Sequence, residues 1–175
     1  DIHPYERNVA TKIIEDFMLL ANETVAEDYF WQSVPFLYRT HDDPDPEKMK
    51  QLGVFIINIR FPLRLTNWAV DPKELQKLLD KIEGKLEEPL LARLVLRSMK
   101  QAKYTTQCTG HFGLAARYYT HFTSPIRRYP DLQIHRIIKE CLHGGLKEKR
   151  VAHYEKLLPQ VAVQTSALER RADES

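Results

Sequence analysis

The chain has 175 residues, 43% of them apolar and 29% charged, and carries a net charge of +2 from 26 basic and 24 acidic side chains. A chain of this size and balance folds and buries about 70% of its unfolded surface, which excludes the disordered and low-complexity classes. No apolar run approaches the ~18 residues of a membrane span, Asp1-Ile2-His3-Pro4-Tyr5-Glu6 is no secretion signal, and Cys108 and Cys141 make no disulfide framework, so a cytoplasmic protein with reduced thiols is expected.

Only 6 glycines leave few positive-φ turns, which favours helices over hairpin-rich sheets. Val9, Ile13, Phe17, Leu20 and Thr24 recur at helical spacing, with Ile14, Met18 and Ala21 on the same side, and predict a helix over 6–31. Val34-Pro35-Phe36-Leu37-Tyr38-Arg39 is short, aromatic and interrupted by proline, as an edge strand would be. In His41-Asp42-Asp43-Pro44-Asp45-Pro46 the aspartates lack the Asp-x-Asp-x-Asp-Gly spacing of a metal loop. Asp45 is instead expected to cap a helix over 46–58, with Pro46 in its first position, Glu47 in its first turn and Gly53 as a soft spot.

Asp71-Pro72-Lys73-Glu74 is a complete start signal for a helix to about Ile82. A further helix from Pro89 to about Lys103 is apolar almost all round and is expected at the centre of the core. Residues 105–110 read as a polar loop, and 111–122 as either strand or irregular chain. Pro125 and Pro130 restrict Ser124–Arg128 to a short turn, after which a helix runs from Pro130 until Gly144-Gly145 stops it. Helices over 148–158 and 160–175 complete the chain.

The stretch 93–150 is richer in base than in acid, which is either a solvated helix surface or the footprint of a phosphate-bearing partner. Cys108-x-x-His111 with His121 has zinc-ligand types but no second close pair. His135 falls on the apolar side of its helix, where a packed, hydrogen-bonded histidine is expected. Tyr118, Tyr119, Phe122 and Tyr129 are either core aromatics or platforms on which bases stack. The most informative run is His121-Phe122-Thr123-Ser124-Pro125-Ile126-Arg127-Arg128-Tyr129-Pro130-Asp131-Leu132. It puts hydroxyls and two arginines on a rigid turn that opens a helix. A planar guanidinium fork beside helix-start N–H groups suits a phosphate and the charge that builds on a phosphodiester.

That run resembles the signature of the ribonuclease II/R family of exoribonucleases, closest to its ribonuclease R branch. The likeness extends over nearly the whole chain. It includes Phe17-Met18-Leu19-Leu20-Ala21-Asn22-Glu23-Thr24-Val25-Ala26, then Val34 to Arg39 followed by His41. It continues through Met99-Lys100-Gln101-Ala102, His111-Phe112-Gly113-Leu114-Ala115 and Glu169-Arg170-Arg171-Ala172-Asp173-Glu174. The resemblance implies a hydrolytic 3′-to-5′ exoribonuclease that threads single-stranded RNA into a channel and uses magnesium ions to activate water. It implies that Arg127 contacts the scissile phosphate and that Glu169 lies at the active site. Asn22 and Glu23 would face the RNA, with Ser124 and Arg128 giving phosphate or supporting contacts.

One departure matters. The family's magnesium ligands lie in an aspartate-rich segment that has no counterpart here, so no metal ligand is expected from this chain. The family's cold-shock-like and S1 modules are missing as well. Residues 1–175 therefore read as the C-terminal part of the family's catalytic (RNB) domain, mainly α with a few short β-strands. This is the α+β half that needs the remainder of that domain as its partner, and no membrane. A chain lacking the ligand cluster is expected to be inactive alone. The alternative reading is a non-catalytic RNA-binding or partner-docking helical module.

Overall fold

Helices make up most of the protein in the computed structural model, which describes residues 8–58, 72–82, 84–85 and 87–174. The elements in chain order are α1 (Val9–Trp31), β1 (Tyr38–Thr40), α2 (Pro46–Asn58), α3 (Pro72–Ile82), α4 (Glu88–Ser98), β2 (Lys103–Thr105), a 3₁₀ turn (Phe112–Leu114), α5 (Tyr129–Leu142) and α6 (Glu148–Asp173). They divide into two compact units. The first comprises residues 1–40, 103–109 and 118–175, and the second residues 41–102 and 110–117.

In the first unit, α1, α5 and α6 enclose a core around one short antiparallel pair, β1 with β2, in the register Tyr38↔Thr105, Arg39↔Tyr104 and Thr40↔Lys103. The core is built from Ala26, Tyr29, Phe36, Leu37, Tyr38, Tyr104, Ile134, Ile137, Tyr154, Leu158, Val161 and Ala162. Tyr29 stacks on Phe36 with centroids 5.0 Å apart. The sheet is tied to α6 by the Tyr104 N–H, which donates to Ser166 Oγ at 2.9 Å. Thr120 Oγ1 donates to the Leu37 carbonyl at 2.7 Å and holds the irregular chain approaching the signature run.

In the second unit, α2, α3 and α4 bury Met49, Leu52, Ile56, Leu75, Leu78, Ile82, Leu91 and Val95 with Phe112. Asp45 caps α2 as expected, its Oδ1 accepting from the backbone N–H of Glu47 at 2.9 Å and of Lys48 at 3.3 Å. His41 Nδ1 accepts from the Gly113 N–H at 3.1 Å. A Cβ on residue 113 would lie 2.9 Å from that nitrogen, so only glycine fits.

Several sequence expectations need correction. The stripe Val9–Ile13–Phe17–Leu20 forms helix as expected, capped by Asn8; Phe17 is 64% exposed, and α1 buries Asn22, Ala26 and Tyr29 in its second half. The helix expected over 6–31 begins only at Val9, because Asn8 is extended and caps it, and the Asp71 cap lies outside the described residues. Helix α4 ends at Ser98, not near Lys103. Met99 turns to extended backbone there, and the chain pairs as β2 over Lys103–Thr105, where the helix was expected to end and the loop to begin. Helix α4 is one-sided and not central, because Leu90 and Leu96 are exposed opposite Leu91 and Val95. The two C-terminal helices are one. α6 runs 26 residues through Pro159, whose ring faces solvent while Leu158, Val161 and Ala162 pack inward. That packing offsets the hydrogen bond that a proline removes.

Candidate functional site

The signature run folds as a closed turn. The Ser124 carbonyl accepts from the N–H of Arg127 at 3.3 Å and of Arg128 at 3.1 Å, and α5 begins at Tyr129 with Pro130 in its first turn. Ile126 stands at the tip, fully exposed at 102%, and Arg127 beside it is exposed. Among the described residues no carboxylate pairs with Arg127. Arg128 folds the other way. Its Nε donates to Asp131 Oδ2 at 2.9 Å and its Nη2 to Asp131 Oδ1 at 2.8 Å. Oδ1 also accepts from the Ser124 N–H at 2.8 Å. Asp131 is 0% exposed, so three donors from the turn and its flank compensate its lost hydration.

The irregular chain that leads into this turn is fixed from α1. Asn22 is 4% exposed. Its Nδ2 donates to Tyr119 Oη at 3.1 Å, and its Oδ1 accepts from the N–H groups of Phe122 at 3.0 Å and Thr123 at 3.3 Å. From the other side His135 Nε2 hydrogen-bonds the Phe122 carbonyl at 2.9 Å, and its ring stacks on Phe122 with centroids 4.3 Å apart. His135 is thus packed and bonded as its place on the apolar face suggested.

Glu169 projects from the last turns of α6 onto β1, where its Oε2 accepts from Arg39 Nη1 at 2.5 Å. The Arg39 guanidinium lies over the Tyr104 ring, 4.6 Å from its centroid, and the Tyr104 hydroxyl hydrogen-bonds His121 Nδ1 at 2.8 Å. Burial pushes the Tyr104 phenol up to about 12; Arg39 and Arg128 oppose the rise, while Glu169 and Asp131 add to it. Tyr119 is likewise raised, first by burial, and it feels Arg128, Glu23 and Asp131. Glu23 itself is raised by burial. The Tyr119 and His121 rings meet with centroids 5.8 Å apart, so Asn22, Tyr119, His121, Tyr104, Arg39 and Glu169 form one continuous set of contacts.

Of the residues singled out in the sequence, Arg127 is open to an external partner and Glu169 is half-open. Asn22 spends its amide and Arg128 its Nε and Nη2 on the fold, and Ser124 contributes backbone groups to the turn. Arg39, Tyr104 and His121 belong to that set of contacts, and Asp131 to the turn itself, without having been predicted. Asp131, three residues after Arg128 in the first turn of a helix, was the one with a readable spacing. Among the described residues no three His, Cys, Asp or Glu side chains come together as metal ligands, so these residues do not fit a resident magnesium ion. None of the described helices is long and apolar enough to cross a membrane.

Known proteins resemble the chain over nearly all of its length. Ribonuclease R of Thermotoga maritima is 44% identical over 100% of this chain and 25% of its own length, so the chain spans about a quarter of such curated relatives. Mycoplasma genitalium RNase R in complex with ribose methylated single-stranded RNA superposes with a TM-score of 0.82 at 26% identity, covering 94% of this chain and 26% of that one. Yeast Ssd1, described as a pseudonuclease, superposes with a TM-score of 0.75 at 27% identity, covering 93% of this chain and 20% of its own. The RNB domain matches residues 1–144, and the chain belongs to that family.

Proposed function

We propose that this chain is the C-terminal part of the catalytic domain of a longer cytoplasmic exoribonuclease. That enzyme would hydrolyse single-stranded RNA from its 3′ end to nucleotide monophosphates. The observation that carries this reading is Arg127, an exposed guanidinium with no carboxylate partner among the described residues, held beside the tip of a closed turn. Its planar fork matches two non-bridging phosphate oxygens and stabilises the extra charge of the phosphorane-like transition state. Glu169, oriented by Arg39, is the active-site carboxylate of this half. Glu23 and Ser124 lie within reach of the strand, while Asn22 and Arg128 serve it indirectly by fixing the turn. Magnesium belongs to this reading as an ion held by the remainder of the catalytic domain, since the described residues do not supply a ligand set. The isolated chain is accordingly inactive.

Replacing Arg127 by Ala in the longer protein tests the reading. Cleavage of a single-stranded oligoribonucleotide should fall far more than its binding, as expected for a contact strongest in the transition state. Equal losses in both would make Arg127 a positioning contact only.

A second reading is favoured by the likeness to yeast Ssd1, because one fold serves nucleases and a pseudonuclease alike. On that reading the chain belongs to a protein that binds RNA without cutting it. Affinity for RNA that falls with rising salt, with no hydrolysis by the longer protein under any divalent cation, would establish it.

A further inference from the structure

We infer that Asp131 and Arg128 are positioning residues that set the direction of Arg127, and that Arg128 is not itself a phosphate ligand. The inference rests on the function proposed for Arg127 and adds to it the device that holds that side chain in place.

A phosphate contact works in proportion to how little its donor must reorganise when the substrate arrives. Arginine has long, flexible methylenes, so direction must come from the backbone beneath it. Here the backbone is a turn of five residues, Ser124–Arg128, with Pro125 inside it and Pro130 just after it. Its carbonyl end, Ser124 O, is bonded to the N–H groups of Arg127 and Arg128. Its amide end, Ser124 N, is bonded to Asp131 Oδ1. Asp131 stands in the first turn of α5, so the carboxylate welds the turn to the helix. Arg128 completes the closure by gripping both oxygens of the same carboxylate.

The chemistry of the pair supports a positioning task over a ligand task. Asp131 is completely buried, and an ionised carboxylate there needs a cation and several donors. A phosphate that recruited Arg128 away would strand that charge in the interior. Arg127, its neighbour, has no such obligation and faces solvent. The sequence Arg-Arg thus divides the labour: one guanidinium is bound inward so that the adjacent one is presented outward. Lysine could not replace Arg128, because a single ammonium cannot meet both carboxylate oxygens in one plane.

The test uses Asp131→Asn, Arg128→Lys, Arg127→Ala and the pair D131N/R127A in the longer protein, with a single-stranded oligoribonucleotide as substrate. D131N and R128K should each lower kcat about 10- to 100-fold while KM stays within about 3-fold. D131N/R127A should be no slower than R127A alone, to within about 2-fold, because both remove the same contact. Hydrogen exchange should quicken in peptides spanning residues 123–129 and remain slow in α5 and α6. A double variant, D131N/R128Q, replaces the ion pair by neutral hydrogen-bonding groups and serves if D131N alone fails to fold; it should show the same loss of kcat. A rise in KM with kcat unchanged in R128K would make Arg128 a ligand and overturn the inference. So would a double variant as slow as the product of the single effects, or a folded D131N that cleaves at the wild-type rate while R127A does not. If R127A cleaves normally, the function assigned to Arg127 fails first, and the positioning task fails with it.

Discussion

Arg39 and Glu169, 130 residues apart in sequence, meet side chain to side chain at 2.5 Å, and Arg39 makes the contact from above the ring of Tyr104. Arg39 is 12% exposed and Glu169 36%, so the pair is only partly screened by water. It joins the first strand to the end of the last helix. Replacing Arg39 by Ala leaves Glu169 without its partner and removes the cation–π contact, a loss of about 1–2 kcal/mol in stability. R39K keeps the charge but not the flat stacked plane, and should lose most of the same contact. Thermal unfolding of R39A, E169A and the double variant checks this. The double variant should be no less stable than the worse single one, because the two substitutions break one interaction.

Asn22 makes a separate case, since its sequence context suggests RNA while its structural context is interior. Asn22→Ala should destabilise the protein by about 2–4 kcal/mol, because it leaves the Phe122 and Thr123 N–H groups without an acceptor. Any loss of RNA binding should follow that unfolding and should disappear under conditions where N22A is fully folded. Calorimetry paired with an RNA titration below the transition checks it. Weaker binding by fully folded N22A would return Asn22 to the RNA face.

The contrast between Asn22 and Arg127 shows what the sequence could and could not disclose. The turn at Ser124–Arg128, the helix after Pro130, the Gly144-Gly145 stop and the Asp45 cap depend on residues a few positions apart, and all four were readable. So was the importance of the signature run. The direction of each polar side chain was not. Whether Asn22 points to solvent depends on Tyr119, Phe122 and Thr123, about a hundred residues away, and adjacent Arg127 and Arg128 differ because Asp131 takes only one of them. β2 escaped notice for the same reason: Lys103–Thr105 is strand because Tyr38–Thr40 and Ser166 meet it, not because of its own pattern. The stripe of α1 was legible as helix but not as surface, since periodicity gives a face and not what covers it.

Glu23 gives a pH-dependent prediction. Burial raises its folded value above the ordinary 4.5, so its contribution to stability is fully present below the unfolded value and is lost as pH rises through the folded one. Glu23→Gln should therefore leave stability nearly unchanged in acid and raise it at neutral pH. Glu140 runs in the opposite sense. Hydrogen bonding from Arg150 lowers its value, so its contribution is present above the unfolded value and fades as pH falls through the folded one. Urea unfolding of wild type, E23Q and E140Q between acid and neutral pH should show curves displaced in opposite directions. Parallel profiles would remove the assigned cause from both.

Pro159 lies inside α6, where its missing N–H removes one rung of the helix and its ring crowds the preceding turn. Because it faces solvent, Pro159→Ala restores the bond to the Glu155 carbonyl without disturbing Leu158, Val161 or Ala162. The expected gain is about 1–3 kcal/mol, seen as a higher midpoint in thermal unfolding. The helix beyond Pro159 also carries Ser166 to the Tyr104 N–H and Glu169 to Arg39. If the proline sets the course of the helix that aims those two residues, P159A will gain helix and lose both contacts. The midpoint will then stay level or fall, and the pairing energy of Arg39 with Glu169 in the double-variant measurement will shrink toward zero. A higher midpoint with that pairing energy intact shows that the contacts do not depend on the proline.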